Sequence, residues 1–504
     1  MRKFLNIFLI TLISSYAYAG DFDNIAPVNP LTPQIQDNTI AIPVKKATLT
    51  QNNIHNQYVI AFSRFVQSNI KPAYNDFKIL IETMDSNDYA YMKMAENMAE
   101  IGLFNLAELA MSNVEDKTIW EFLKDDIKLY HYPAKKLSTD DEIYLAEVYS
   151  NIIYNDQSKE ATSELIKNTM LLAKSDYANY VTALGFLKSN EFIDAEKYIN
   201  NAIEMNPQNI NYKKLKAEIL SQSKNPQNAL KIINNIKSNK LYSTDYIQKI
   251  NSIEQYVLYK SKKNYSEKMY HLGYYYYYEK EYAKSIRTLQ NALGTKKRLN
   301  KDVYSLLSRV YYDSSDYDKA QDNATKTLNI KGNDFTALIV LGDLSYRNKD
   351  YKTALKYYKN ASNTNSYIQQ IKLAQTYEQL NKIEKAKEIY EKLIKTYNDC
   401  FVAYYKIALL DKTKELAYLK KSVAINMNYK DAWIDLGRFA IEQENYDIAK
   451  KYLKIANYID ENDFRYYYYQ GLLAKRQGLD GKHYFKKSLI LNPDYEAAKK
   501  ELEI

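Results

Sequence analysis

Five consecutive tyrosines, Tyr274 to Tyr278, stand in the stretch GYYYYYEKEYAKS (273–285), which holds six of the chain's 52 tyrosines. A phenol offers two apolar ring faces and one hydroxyl with little rotamer entropy to lose, so such a block suits a contact surface better than a reaction centre. Groups that perform reactions are sparse. The four histidines, His55, His131, His271 and His483, lie too far apart in sequence to make a local metal pair, and no H-E-x-x-H occurs. His271, beside the tyrosine block, reads as a surface side chain. There is no G-x-S-x-G, P-loop or Rossmann glycine pattern, and 11 glycines leave little material for phosphate-cradling loops. The adjacent carboxylates, Asp125 with Asp126 and Asp140 with Asp141, lie in charged segments and read as solvated. The residues therefore predict no enzyme, no cofactor and no metal site.

The ends and the composition set the frame. MRKFLNIFLITLISSYAYAG has a basic start, a short apolar stretch and the small-x-small site Ala17-Tyr18-Ala19, the pattern of a cleavable signal peptide over 1–19. The apolar stretch is too short to span a bilayer, and no later run reaches that length. A periplasmic protein cut after Ala19 is expected, with secretion as the alternative. Residues 20–50 carry Pro27, Pro30, Pro33 and Pro43 and no helical period, which predicts an extended tether. A lone cysteine, Cys400, excludes an internal disulfide. The charge of +9 is spread through mixed Lys, Glu and Asp, which argues against a nucleic-acid partner.

What must position the tyrosines is a repeat. DAWIDLGRFAIEQENYDIAKKYLKIANYIDEND (431–463) aligns with DVYSLLSRVYYDSSDYDKAQDNATKTLNIKGND (302–334): an aromatic, then Leu-Gly or Leu-Ser, an aromatic-punctuated turn, and an alanine. This grammar resembles the tetratricopeptide repeat, a 34-residue pair of antiparallel helices. The resemblance implies an all-α, right-handed superhelical solenoid with small residues where paired helices cross, at positions 8 and 20. Position-20 residues are then Ala73, Ala107, Ala195, Ala229, Ser285, Ala320, Ala354, Ala386, Ala417 and Ala449. The match is weak from Trp120 to Ser175. About 22 extra residues before Ser285 include a helical stripe of Ile247, Ile250, Ile253 and Val257. The reading is an N-terminal array over 51–242, an inserted joint over 243–265, a C-terminal array over 266–494 and a capping helix over 495–504.

In that register Gly273 is position 8, and the family's aromatic slots take Tyr276, Tyr277 and Tyr282. The surplus is Tyr274, Tyr275 and Tyr278. By the same resemblance, one stripe of each first helix lines a concave groove, where Tyr270, Tyr274, Tyr277, Tyr278, Arg309, Tyr312, Tyr346 and Arg347 become the expected partner-binding residues. The Lys and Asn of a carboxylate-clamp groove are missing, since the corresponding pairs read Tyr270/Tyr274, Ser305/Arg309, Ile339/Asp343 and Ile371/Gln375. In the second tyrosine run, FRYYYYQGLLAK (464–475), Tyr467 takes a packing slot and Tyr468 a groove slot. The expected function is a non-catalytic scaffold holding a protein or peptide in the cell envelope, with glycan binding as the alternative.

Overall fold

The computed structural model describes residues 51–84, 87–223, 225–238, 244–294, 297–361, 367–397 and 399–503. The expected signal peptide and tether, 1–50, lie outside them. The described residues form 28 helices and no strand, an all-α solenoid of consecutive packed pairs.

Small residues close the pairs. Ala61 with Ala73, Ala95 with Ala107, Ala183 with Ala195, Ala217 with Ala229 and Ala374 with Ala386 are all fully buried at the two crossing positions. Where position 20 is Ser285, its hydroxyl donates to the Gly273 carbonyl at 2.7 Å. The glycines at position 8 leave room for a large side chain from the second helix. A Cβ on Gly273 would collide with Leu289, on Gly342 with the Tyr358 ring, and on Gly437 with Leu453. One expected crossing residue is misplaced. Ala417 is exposed, and Glu415 is the buried residue there. The turn between helices Phe401–Leu410 and Glu415–Ile425 is short, which moves the crossing toward the N-terminus of the second helix.

A recurring turn joins the two helices in nine of the described pairs. Seven residues after position 8 the backbone enters the left-handed region, at Ser68, Gly102, Asn190, Lys280, Ser315, Lys349, Asn381, Glu444 and Gly478. The hydrogen bonds are those of a Schellman end: Lys349 N–H to the Tyr346 carbonyl at 2.9 Å and Asp350 N–H to the Ser345 carbonyl at 2.9 Å. Asp350 then caps the following helix by accepting from the Thr353 N–H at 3.1 Å. A left-handed lysine is strained where glycine is not, so Lys349→Gly is expected to stabilise the fold by about 0.5–1 kcal/mol. Lys356→Gly, at an exposed position inside helix Tyr351–Asn360, should destabilise by about 1 kcal/mol. Urea midpoints of opposite sign check both, and a fall at Lys349 would contradict the turn assignment.

The contacts divide the chain into two compact units. The first comprises the described parts of Met1–Lys124, Ser138–Gln157 and Asn426–Ile504, so it brings together helices from both ends of the sequence. Trp120 stacks on Trp433 with centroids 5.5 Å apart, and both are buried. The Tyr89 hydroxyl donates to Asn428 at 2.7 Å, its ring meets Tyr458 edge-on, and Lys451 pairs with Glu115. Asp88 secures this side by accepting from the Glu115 and Asp116 N–H groups, each at 2.9 Å, and from the Trp120 indole at 3.1 Å. Helix Thr139–Tyr154, in the stretch that matches the repeat weakly, is held by Ser150 donating to the Phe65 carbonyl at 2.6 Å. Helix Glu496–Leu502 covers the end of the array, with Tyr495 against Phe464 and Tyr468.

The second unit comprises Asp125–Leu137 and Ser158–Ile425. Buried Asp176 accepts from the Ala134 N–H, from Asn206 and from the Tyr212 hydroxyl at 2.9, 3.1 and 3.2 Å, fixing a connector to three helices. The inserted helix, Thr244–Ser261, lies inside this unit, and the division of contacts falls elsewhere. Its Ile250 and Val257 are buried on the preceding pair, with Ile253 partly buried beside them. The Ile247 side chain lies outside the described residues. On its other side Tyr256 packs on Tyr275 at 5.5 Å, so the insertion continues the stack.

Candidate protein-binding face

Helix Tyr265–Tyr278 starts at Asn264, whose side chain accepts from the Glu267 N–H, and ends in the left-handed Lys280 turn. Because 3.6 residues make a turn, its five consecutive tyrosines fan around the axis and meet different neighbours. Tyr275 faces the inserted helix. Tyr276 touches Tyr275 and lies under the Lys284 ammonium, 5.6 Å from the ring centre. Tyr277 donates to Asp313 on the next first helix at 2.9 Å. Tyr274 and Tyr278 stack in parallel, 5.0 Å apart with 6° between planes, and Tyr270 meets Tyr274 edge-on.

Two expectations about this helix change. Tyr276, read as a packing residue, is only half-buried and lies outside the apolar cluster of these repeats. Tyr274, read as free, packs partly against that cluster, together with Tyr270, Tyr277 and Tyr282. Neighbouring first helices pack on one another, so positions 5, 9 and 12 wedge between them, while position 11 meets only the start of the second helix. Tyr278 stays at the margin.

The next first helices, Lys297–Asp313, Phe335–Arg347 and Tyr367–Gln379, carry a ladder of charges. Arg309 grips Asp313 through Nε at 2.9 Å and Nη2 at 2.7 Å, and reaches Asp343 at 3.3 Å. Asp343, only 3% exposed, also takes the Lys372 ammonium at 2.6 Å and the Tyr358 hydroxyl at 2.7 Å. Lys406 continues the ladder to Glu378 at 2.7 Å. Arg309, expected to meet a partner, is thus bound internally by two carboxylates. Arg347 is exposed and lies 4.1 Å from the Tyr317 ring centre. Tyr312 and Tyr346 repeat the position of Tyr277, and each meets the tyrosine across its turn, Tyr317 and Tyr351. Burial pushes the phenols up, Tyr312 to about 12 and Tyr270, Tyr277 and Tyr278 further, so the rings stay uncharged and Arg347 is the exposed charge beside them.

The remaining candidates settle differently. His271 is partly buried, with Nδ1 2.9 Å from the Gln255 amide oxygen, and burial lowers it to about 4. Asp126, read as solvated, is raised to about 6 by burial. Asp140 and Asp141 sit in the first turn of their helix, where Ser138 caps the Asp141 N–H. Tyr468 packs on Phe485 and Tyr495, inside the C-terminal stack. The charge ladder went unread in the sequence, although an acid facing a base about one repeat away, as in Arg309 with Asp343, was its signal.

The family profile described as tetratricopeptide repeat matches residues 370–400, a stretch that takes in most of the pair Tyr367–Gln379 and Ile383–Thr396. The crossing residues of that pair, Ala374 and Ala386, recur in register along the chain. The chain carries a tetratricopeptide repeat. No curated protein matches it in sequence. Among solved structures, this tetratricopeptide-repeat chain is similar to the APC/C hetero-tetramer Cut9-Hcn1, at 11% identity over 89% of this chain and 96% of that one, with a TM-score of 0.43. It is also similar to MamA, at 22% identity over 31% of this chain and 95% of that one, with a TM-score of 0.27. Pseudomonas aeruginosa pilF aligns at 15% identity over 47% of this chain and 97% of that one, with a TM-score of 0.28. Tetratricopeptide-repeat proteins are in general non-catalytic protein-interaction scaffolds.

Proposed function

We propose that this tetratricopeptide-repeat protein is an exported bacterial scaffold, periplasmic after loss of residues 1–19, whose first helices between Tyr265 and Arg347 hold an extended segment of a partner protein. The observation that carries the binding face is the parallel Tyr274–Tyr278 pair at the margin of an aromatic surface. Arg309 and Lys372 are already satisfied by Asp313 and Asp343, so ring faces and hydroxyls supply the binding energy and specificity comes from shape. Export rests on the sequence of the first 20 residues.

The test places a photoreactive residue at Arg347, exposed on the same face, in the native cell. A captured polypeptide is expected, and Tyr278→Ala should weaken capture tenfold or more, the scale of an interface anchor of about 2 kcal/mol. Stability should change little, by about the 0.5–1.5 kcal/mol of one aromatic pair, because Tyr278 lies outside the buried cluster. Capture of carbohydrate in place of polypeptide would establish a glycan-binding face instead.

A further inference from the structure

We propose that helix Lys482–Leu491 docks the chain on an anionic lipid surface through its outward face. Its inner face is fixed against the rest of the first unit. Phe485 and Ser488 are buried, the Ser488 hydroxyl donates to the Phe464 carbonyl at 2.9 Å, and a Cβ on Gly481 would collide with the Gly471 backbone. At about 100° per residue, Lys486, Lys487 and Ile490 fall opposite Phe485 and Ser488, with Lys482 one turn before Lys486. All four are exposed.

The outward face combines charge with apolar surface. The helix KHYFKKSLIL holds three lysines and no acid, and the nearby Asp480 is used as a cap, accepting from the Lys482 N–H at 2.9 Å. Lys482, Lys486 and Lys487 form no ion pair among the described residues, so no internal carboxylate competes for them. Among these cations stand two large apolar side chains, Ile490 at 78% exposed and Leu479, in the preceding turn, at 63%. Lys486 and Lys487 flank Ile490, about 40° and 60° to either side of it around the axis. A lysine stem is apolar and its ammonium polar, so lysines placed this way reach lipid phosphates while Ile490 enters the acyl boundary. The Lys487 ammonium lies 4.6 Å from the centre of the Tyr467 ring, an aromatic of the type that settles at membrane interfaces. Lysines alone would not single out this helix. Helix Tyr351–Asn360 also has three exposed lysines and no acid, but none of its large apolar side chains is exposed. A protruding apolar residue between cations fits an apolar medium bounded by anions, which a bilayer supplies in that order.

The test mixes the chain lacking residues 1–19 with lipid vesicles and reads the bound fraction by flotation. Vesicles of phosphatidylglycerol with phosphatidylethanolamine should bind at least tenfold more tightly than vesicles of phosphatidylcholine alone, and added salt should weaken that binding. Lys482→Glu with Lys486→Glu should weaken it at least tenfold, since each cation near an anionic leaflet is worth roughly fivefold. Leu479→Ser with Ile490→Ser should weaken it at least threefold. Both pairs are exposed, so thermal unfolding should stay unchanged. The control, Lys352→Glu with Lys356→Glu, removes the same charge from helix Tyr351–Asn360 and should weaken binding less than twofold. Equal binding to the two kinds of vesicle overturns the proposal. So does a control pair as damaging as the lysine pair, or an apolar pair without effect.

Discussion

Trp120→Ala is expected to destabilise the first unit by about 3–5 kcal/mol, the cost of truncating a large buried aromatic. Its ring is 1% exposed and stacked on Trp433, and its indole satisfies Asp88, which would keep only backbone donors from Glu115 and Asp116. The location of the damage is more telling than its size. Hydrogen exchange should lose protection both near residues 88–124 and near residues 428–458, while helix Phe335–Arg347 in the second unit stays protected. Trp433→Ala should give the same pattern, and the double variant should cost less than the sum, because one contact is removed twice. Protection lost only around residue 120 would show that the two ends of the sequence are not packed together.

Asp343→Ala is the second large effect, up to about 3 kcal/mol, the low end of the cost of removing one partner of a buried pair, because Lys372 and Arg309 are partly exposed and Arg309 keeps Asp313. The carboxylate is almost fully enclosed, so its loss strands Lys372, one arm of Arg309 and the Tyr358 hydroxyl together. Removing the charges on both sides should recover much of the stability. Asp343→Leu with Lys372→Met should therefore lie closer to the unaltered protein in urea unfolding than Asp343→Ala does. A double variant as unstable as the single one would mean that shape, not charge, holds this crossing.

Much of this fold is legible because repeats force local rules to recur. A small residue at a helix crossing is needed wherever two backbones approach, so Ala73, Ala107, Gly273 and Ala354 announce themselves without any tertiary knowledge. The misreading of Ala417 has the same origin. An alanine in sequence register was followed, while a shorter turn moved the physical crossing onto Glu415. The tyrosine block was half legible. Register gave the stripe, but whether a stripe is covered depends on how tightly successive first helices pack, and that draws Tyr274 partly against the apolar cluster and leaves Tyr276 outside it. Arg309 looked like a binding residue because its partners, Asp313 on its own helix and Asp343 on the next, are ordinary surface residues until the helices are stacked. The packing of Trp120 on Trp433 had no local signal, since neither side carries a mark of the other.

That same packing imposes a schedule. Tyr89 meets Asn428 across 339 positions of chain, and the ribosome makes the earlier residue first. At roughly 5–20 residues per second, synthesis takes about 15–70 s to supply the second partner once the first exists. Throughout that delay the ring faces of Trp120 and Tyr89 lack the cover that Trp433 and Tyr458 supply, whereas the repeats between them can close on their neighbours as they appear. The last helices made are thus needed to finish a unit begun by the first, and an interrupted chain would be left with a sticky aromatic edge rather than a shorter working array.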